Sequence, residues 1–481
     1  MMPPNLREKA VRGFFWTFSH QAGKQGIGFV ISIVLARMLS PELFGLVGMI
    51  GIVTNFGQVI IEGGLTSSLI RSDKVTDADF STIFFFNLGM SVLIYLASWF
   101  AAPAIAAFFR QPVLIPMVRL YCLTFIISAF GAIQATRLTK ELDFKTQLLV
   151  GLPAVVAGGV VGIVAAWFGA GVWSLVWMHL VQAVFSALHF WLRSAWRPSF
   201  VFEGGRLRHH LSFGYKLVLS ALLFRGFKNL TQALIGRYFS AAQLGFYTRA
   251  QTLKQLPVDS MSMALNKVSY PLFASIQHDN QRLRVAYRSL MQQVLFWTAP
   301  LLIFAAVLAE PLFRILLTEK WLPAVPIFQL LCPVGILYPI HAYNLNVLNV
   351  KGRSDLFFRL EIIKVFLGSG FIFVGLQFGI FGLLAAEVVF SVAALVINTH
   401  YSGRLIDYTL RQQAADVGPT LLLTLVAGAG IWWFDASVSH WSDLARLVVG
   451  SGAGALIYLL LANALQLAPF IEVKKMVMNR R

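Results

Sequence analysis

Three basic side chains stand inside long apolar runs: Lys24, Arg225 and Lys228. A cation in a hydrocarbon core is costly unless it meets water or a partner, so such residues point to function by default. Together they can attract an anion where water is scarce. Two carboxylates, Glu62 and Asp259, lie in equally apolar surroundings. A buried carboxylate can take up a proton, which makes this pair the candidates for ion coupling. The structural alternative is charge balance, for instance Lys24 against Glu62. Neutral polar residues accompany the charges: Gln25, Asn55, Gln58, Gln232, Gln251, Gln255 and Asn266. Their amides both donate and accept, as recognition of sugar hydroxyls requires.

Each of these residues belongs to a polar stripe at three-to-four spacing, the period of one helix face. Helix 14–38 carries Thr17, Gln21, Lys24 with Gln25, Gly28 and Ser32, and helix 44–69 carries Gly51, Asn55, Gln58, Glu62 and Thr66. The pair returns two hundred residues later. Helix 211–237 carries Arg225, Lys228 with Asn229, Gln232 and Gly236; helix 246–271 carries Thr248, Gln251, Gln255, Asp259, Ser262 and Asn266. The connectors match as well, Arg37, Ser40 and Gly45 against Arg237, Ser240 and Gly245. A duplicated helix pair with a wet face in both copies marks a two-lobed membrane transporter.

The other chemistry-bearing residues are less telling. Glu361 and Lys364, three apart, form a local pair, and Glu387 stands in the next span. Arg37 and Arg237 end their helices, where snorkelling or helix-end carbonyls explain them. His179, His189 and His341 are isolated, so no metal site is expected. Cys122 and Cys332 both fall in apolar runs, against a disulfide framework. Pro257, Pro300, Pro333 and Pro339 interrupt spans.

Composition sets the class. Of 481 residues, 57% are hydrophobic and 12% charged, against about 25% charged in soluble proteins. Apolar runs long enough to cross a bilayer recur throughout, and they are continuous rather than alternating, which argues against a β-barrel. The expected fold is an all-α polytopic membrane protein with about fourteen spans. Six make an N-lobe over residues 1–200, six a C-lobe over 201–405, and two more close the chain over 406–481. The net charge of +18 reflects basic loops on the cytoplasmic side rather than nucleic-acid binding. Arg7, Lys9, Arg12, Arg71, Lys74, Arg206, Arg208, Lys351, Arg353, Lys474 and Lys475 all fall inside when both termini are cytoplasmic. No Walker A loop, nucleophile elbow or large outer loop is present, so an enzyme is not expected and no cofactor is implied.

Leu35-Ala-Arg-Met-Leu-Ser-Pro-Glu-Leu-Phe-Gly45, Glu62-Gly-Gly-Leu-Thr-Ser-Ser-Leu-Ile-Arg71 and Gly352-Arg-Ser-Asp-Leu356 resemble the polysaccharide transporter family. That family belongs to the multidrug/oligosaccharidyl-lipid/polysaccharide exporter superfamily. The likeness is to its Wzx-type, colanic-acid-like lipid-linked oligosaccharide flippases. It implies two six-helix lobes in a V around a cationic cavity. It also implies passage of undecaprenyl-pyrophosphate-linked repeat units from the cytoplasmic to the periplasmic leaflet of a bacterial inner membrane. Membrane lipids, a polysaccharide polymerase and export machinery are the partners it suggests. An ion-coupled multidrug exporter and a lipid-II-type flippase are the alternatives of similar architecture.

Overall fold

Ser40 and Ser240 each stand one residue ahead of a helix, and the local chemistry explains why the chain turns there. Pro41 follows Ser40 at the first helical position, where its missing N–H costs nothing. At the second copy a reciprocal capping box forms: Gln243 N–H donates to Ser240 Oγ (3.1 Å) and Ser240 N–H to Gln243 Oε1 (3.2 Å). Both turns belong to a computed structural model that describes the backbone of residues 4–62, 64–72 and 74–478. The side chains of residues 1–15, 17, 18, 62, 213, 216, 217, 260–268, 270, 271, 476 and 477 lie outside that description. Among the described residues every regular element is helical.

The chain groups into two units. The first, residues 1–245, runs through α1 (Pro4–Met38), α2 (Pro41–Glu62), α3 (Leu65–Arg71), α4 (Asp77–Phe109), α5 (Leu114–Tyr121), α6 (Leu123–Lys140), α7 (Phe144–Trp167), α8 (Trp173–Arg193), α9 (Gly204–Lys228) and α10 (Leu230–Tyr238). The second, residues 246–481, holds most of α11 (Ala241–Ser275), then α12 (Asn280–Val307), α13 (Ala309–Leu317), α14 (Val325–Val350), α15 (Ser354–Leu376), α16 (Gly379–Ile406), α17 (Leu410–Ser437), α18 (Asp443–Ala464) and α19 (Ala468–Met478). Contact thus places α9 and α10 with the first unit, whereas the repeat pairs them with α1. Contact and duplication are different criteria, and each gives its own boundary.

Inside the first unit, small residues let helices approach closely. A Cβ on Gly158 would sit 2.6 Å from the Met178 carbonyl, and one on Gly159 2.2 Å from Ile31. The glycines of α7 therefore admit α8 on one side and α1 on the other, a common device between membrane helices. Leu65, Leu69, Phe80, Ile83, Phe84, Ile133 and Trp196 form an apolar cluster under α3. Beside it a polar latch ties three segments. Asp79 Oδ2 accepts from Thr76 N–H (2.8 Å) and from Arg206 Nη1 (2.9 Å), and buried His210 meets Ser68 Oγ at 2.8 Å through Nδ1.

The repeat glycines meet in the same unit. A Cβ on Gly45 would fall 1.8 Å from the Ala241 carbonyl oxygen, and one on Gly245 1.9 Å from that of Pro41. The duplicated glycines thus serve one reciprocal backbone-to-backbone contact between the first turns of α2 and α11.

In the second unit, α17 and α18 pack onto α12 through Phe296, Phe304, Leu308, Leu423, Ala427, Ile431, Tyr458 and Ala462. Arg446 of α18 grips Asp435 of α17 with two bonds of 2.8 and 2.7 Å. Cys122 and Cys332 are buried free thiols, as expected.

Several expected continuous spans are broken. Glycine 64, at φ +65°, separates α2 from α3 inside the run taken as 44–69. Cys122 separates α5 from α6, and Asn229 separates α9 from α10. Among the described residues, ten helices are long and apolar enough to cross a membrane. Helices α1, α9, α11 and α15 are not among the ten; they carry Lys24, Arg225 with Lys228, Asp259, and Glu361 with Lys364.

Candidate functional site

The break at Asn229 shapes the cationic face. Asn229 Nδ2 donates to the Arg225 carbonyl at 2.9 Å, and its own N–H reaches the same oxygen at 3.0 Å. This closes α9 with both Arg225 and Lys228 in its last turn, at the negative end of the helix dipole. Arg225 is half-buried and Lys228 exposed. On α1, Lys24 is exposed and Gln25 partly so; on α2, Asn55 is partly exposed and Gln58 exposed. Among the described residues none of these six side chains has a hydrogen-bond or ion-pair partner within the protein. Unpartnered, accessible cations on helices of this kind require water or an anion against them. Gln232 differs: its amide donates to the Gly48 carbonyl at 2.8 Å, tying α10 to α2.

The second unit carries the rest of the expected set. Gln255 donates to Asp259 Oδ1 at 2.6 Å, so the first partner of that carboxylate is its own stripe. Gln251 turns a buried Oε1 that accepts no hydrogen bond among the described residues. The side chains of Glu62 and Asn266 lie outside the described residues. Glu361 and Lys364 form the expected ion pair on α15.

Arg249 and Lys254 were not singled out by the sequence pattern, yet they are 6% and 4% exposed on α11. Both stand off the Thr248–Gln251–Gln255–Asp259 stripe, and a search for periodic polarity passes over them. A charge on the apolar face of a span was the signal available. Arg249 lies over the Trp321 ring at 5.5 Å. Lys254 runs its stem across Gly335, where a Cβ would stand 3.1 Å from its Cγ. His341 is not isolated: Nε2 meets Ser391 Oγ and Nδ1 meets Asn398 Nδ2, each at 3.2 Å. Among the described residues no His, Cys, Asp and Glu group has a metal-binding arrangement. The arrangement offers charge and hydrogen bonds for recognition, spread over membrane-length helices.

Comparison with known proteins identifies the family. A model of a family described as polysaccharide biosynthesis protein matches residues 34–326. The teichuronic acid biosynthesis protein TuaB of Bacillus subtilis (strain 168) is 29% identical over 466 residues, 95% of this chain and 96% of that protein. The lipopolysaccharide biosynthesis protein WzxC of Escherichia coli (strain K12) is 26% identical over 375 residues, 78% of this chain and 76% of its own. Among solved structures, the lipid II flippase MurJ in an inward closed conformation superposes with a TM-score of 0.76. It has 14% identity and covers 95% of this chain and 99% of its own, a likeness of fold. The chain therefore belongs to the polysaccharide biosynthesis protein family, as a multi-pass helical membrane protein.

Proposed function

We propose that this transporter moves undecaprenyl-pyrophosphate-linked oligosaccharide repeat units from the cytoplasmic to the periplasmic leaflet of a bacterial inner membrane. It does so by alternating access of two lobes, 1–200 and 201–405, with both termini cytoplasmic. The observation that carries this reading is the set of accessible cations, Lys24, Arg225 and Lys228, without partners among the described residues. A pyrophosphate supplies the charge they lack, and Arg225 can bind it bidentately. Gln25, Asn55, Gln58, Gln251, Gln255 and Asn266 offer amides to sugar hydroxyls, while Gln232 holds α10 against α2. Glu62 and Asp259 are the candidate ion-coupling carboxylates of the wet stripes. The names of the relatives, which point to teichuronic acid and lipopolysaccharide biosynthesis, support glycan export. A polymerase and export machinery then act on the delivered units.

Complementation of a flippase-null strain tests this, with membrane abundance measured in parallel. Arg225→Ala is expected to lower export about tenfold or more, since a hydrogen bond to a charged group contributes roughly 1.5–3 kcal/mol. Arg225→Lys is expected to keep part of it, because charge survives while the fork is lost. Full export by a stable variant with Lys24, Arg225 and Lys228 all changed to Ala would overturn the cationic-cavity mechanism.

A further inference from the structure

Residues 194–203 join α8 to α9 without regular structure, and they are stitched to the side of α4. Ser199 N–H donates to Ser81 Oγ at 3.0 Å, and Glu203 N–H donates to Thr82 Oγ1 at 3.2 Å. Both hydroxyl-bearing residues of α4 are fully buried. Between these two stitches Phe200 stacks on Phe85, with ring centroids 5.8 Å apart and planes at 25°. Yet Phe200 is 98% exposed and Phe202 58% exposed. Two such rings held open to water would forfeit most of the free energy that burying an aromatic side chain supplies.

The depth of the stitches indicates what covers the rings. Helix α4 has 33 residues. At 1.5 Å per residue it is about 50 Å long, so a centred hydrocarbon core of roughly 30 Å leaves about 10 Å, six or seven residues, at each end. Ser81 and Thr82 follow the first residue, Asp77, by four and five positions, within the headgroup layer. Phe85 follows it by eight, where the acyl chains begin. Phe200 is therefore pinned at the boundary between headgroups and hydrocarbon, the depth at which aromatic rings anchor membrane proteins.

Charge completes the site. Residues 193–210 carry four arginines and one glutamate, and that glutamate, Glu203, is taken up by Arg206 at 2.6 Å. Arg193 is exposed at the end of α8 and has no partner among the described residues. Arg197 is exposed as well. It donates to the carbonyls of Trp191, Ser194 and Trp196 and lies 5.2 Å over the Trp191 ring. Trp191 packs against Phe84, at 6.5 Å between centroids, so Arg197 and Phe200 flank the same turn of α4. We propose that the 194–203 connector is a binding site for one anionic phospholipid, with Phe200 and Phe202 against its acyl chains and Arg193 and Arg197 at its phosphate. Guanidinium groups match phosphate oxygens, and basic residues beside a membrane-embedded segment favour anionic over zwitterionic heads. Such a lipid ties the junction between the two sequence repeats to one leaflet. The assignment does not depend on which cargo the protein carries.

Two measurements on the full chain test it. Single cysteines at Phe200, Phe100 and Lys74 are spin-labelled in nanodiscs of phosphatidylglycerol and phosphatidylcholine, with Cys122 and Cys332 buried and silent. Phe100, 77% exposed on α4, is the hydrocarbon reference, and Lys74, exposed between α3 and α4, is the aqueous one. The label at Phe200 should be relaxed by oxygen more than by a water-soluble nickel chelate, as at Phe100. A label at Phe200 that behaves as at Lys74 overturns the site. Native mass spectrometry of the detergent-solubilised protein then counts bound lipids. Arg193→Gln is expected to weaken the tightest phosphatidylglycerol about fivefold, the equivalent of roughly 1 kcal/mol per basic residue near an anionic surface, and to leave phosphatidylcholine unchanged. Inorganic phosphate should not displace the lipid, because it lacks the chains that Phe200 and Phe202 hold. The variants compared are those that elute as a single peak at the wild-type position. Phosphatidylglycerol binding identical to wild type in Arg193→Gln/Arg197→Gln, or full displacement by phosphate, would overturn the proposal.

Discussion

At the scale of residues, polar side chains in this protein divide by what they already hold. Lys24, Arg225 and Lys228 hold nothing among the described residues, whereas Asp79, Arg206 and His210 hold one another. His210 Nε2 lies 3.7 Å from Asp79 Oδ1, and Arg206 Nε donates to Glu203 Oε2 at 2.6 Å. Burial pushes the His210 imidazole below its ordinary value of 6.5, helped by nearby His209 and Lys140 and opposed by Asp79. A depressed imidazole binds its proton more readily in the unfolded chain. Its contribution to stability is therefore present above about pH 6.5 and is lost as pH falls toward the folded-state value. Thermal unfolding in detergent should show a melting temperature that drops on acidification below that point. His210→Gln, which keeps a hydrogen-bonding group for Ser68, should flatten the drop. An equally steep dependence in the variant would remove His210 from the account.

The same division explains what the sequence revealed of the site. The stripe residues were legible because periodic polarity is a pattern. Arg249 and Lys254 fall off the α11 stripe, and only the fold shows that they are buried, at 6% and 4% exposure. Gln232 read as a site residue by the same periodicity, yet its amide is committed to Gly48.

At the scale of elements, most helix ends were legible to within a few residues, since apolar length is itself the signal, but α1 starts at Pro4 rather than 14 and α9 at Gly204 rather than 211, because their first turns are polar. The breaks were not legible. Asn229 in a polar stripe looks like any other stripe member until its side chain folds back onto the Arg225 carbonyl. The duplicated glycines were visible as a motif, but their reason is tertiary: the 1.8 and 1.9 Å approaches to Ala241 and Pro41 leave no room for any side chain. Gly45→Ala and Gly245→Ala must each push the first turns of α2 and α11 apart. Both are expected to lower melting temperature and export together, in the range of overpacking costs of about 1–3 kcal/mol or more. Gly26→Ala is the control. Its Cβ would meet nothing within 4 Å, and a helical Ala is favoured over Gly by roughly 0.5–1 kcal/mol. A Gly45→Ala variant as stable as Gly26→Ala would show that the contact does not constrain the helices.

At the scale of the whole molecule, the charge pattern makes a prediction about orientation. Ser72 lies between α3 and α4, Gln277 between α11 and α12, and Ser354 at the first position of α15. Each stands among basic residues: Arg71 and Lys74, Arg282 and Arg284, Lys351 and Arg353. Gln111, between α4 and α5, and Ser439, between α17 and α18, lie at opposite helix ends from these. The excess of Lys and Arg at one set of ends predicts, by the positive-inside rule, that this set faces the cytoplasm. The sequence repeat, read as parallel, predicts the same sense of insertion for equivalent helices. Single cysteines at Ser72, Gln277 and Ser354 should therefore be labelled only by reagents entering from the cytoplasm, and those at Gln111 and Ser439 only from outside. The native thiols give a silent background, because Cys122 and Cys332 are both fully buried. Reversed labelling at two or more of the five positions would mean that a helix assigned to cross the bilayer does not. The direction of the proposed transport would then have to be reassigned along with it.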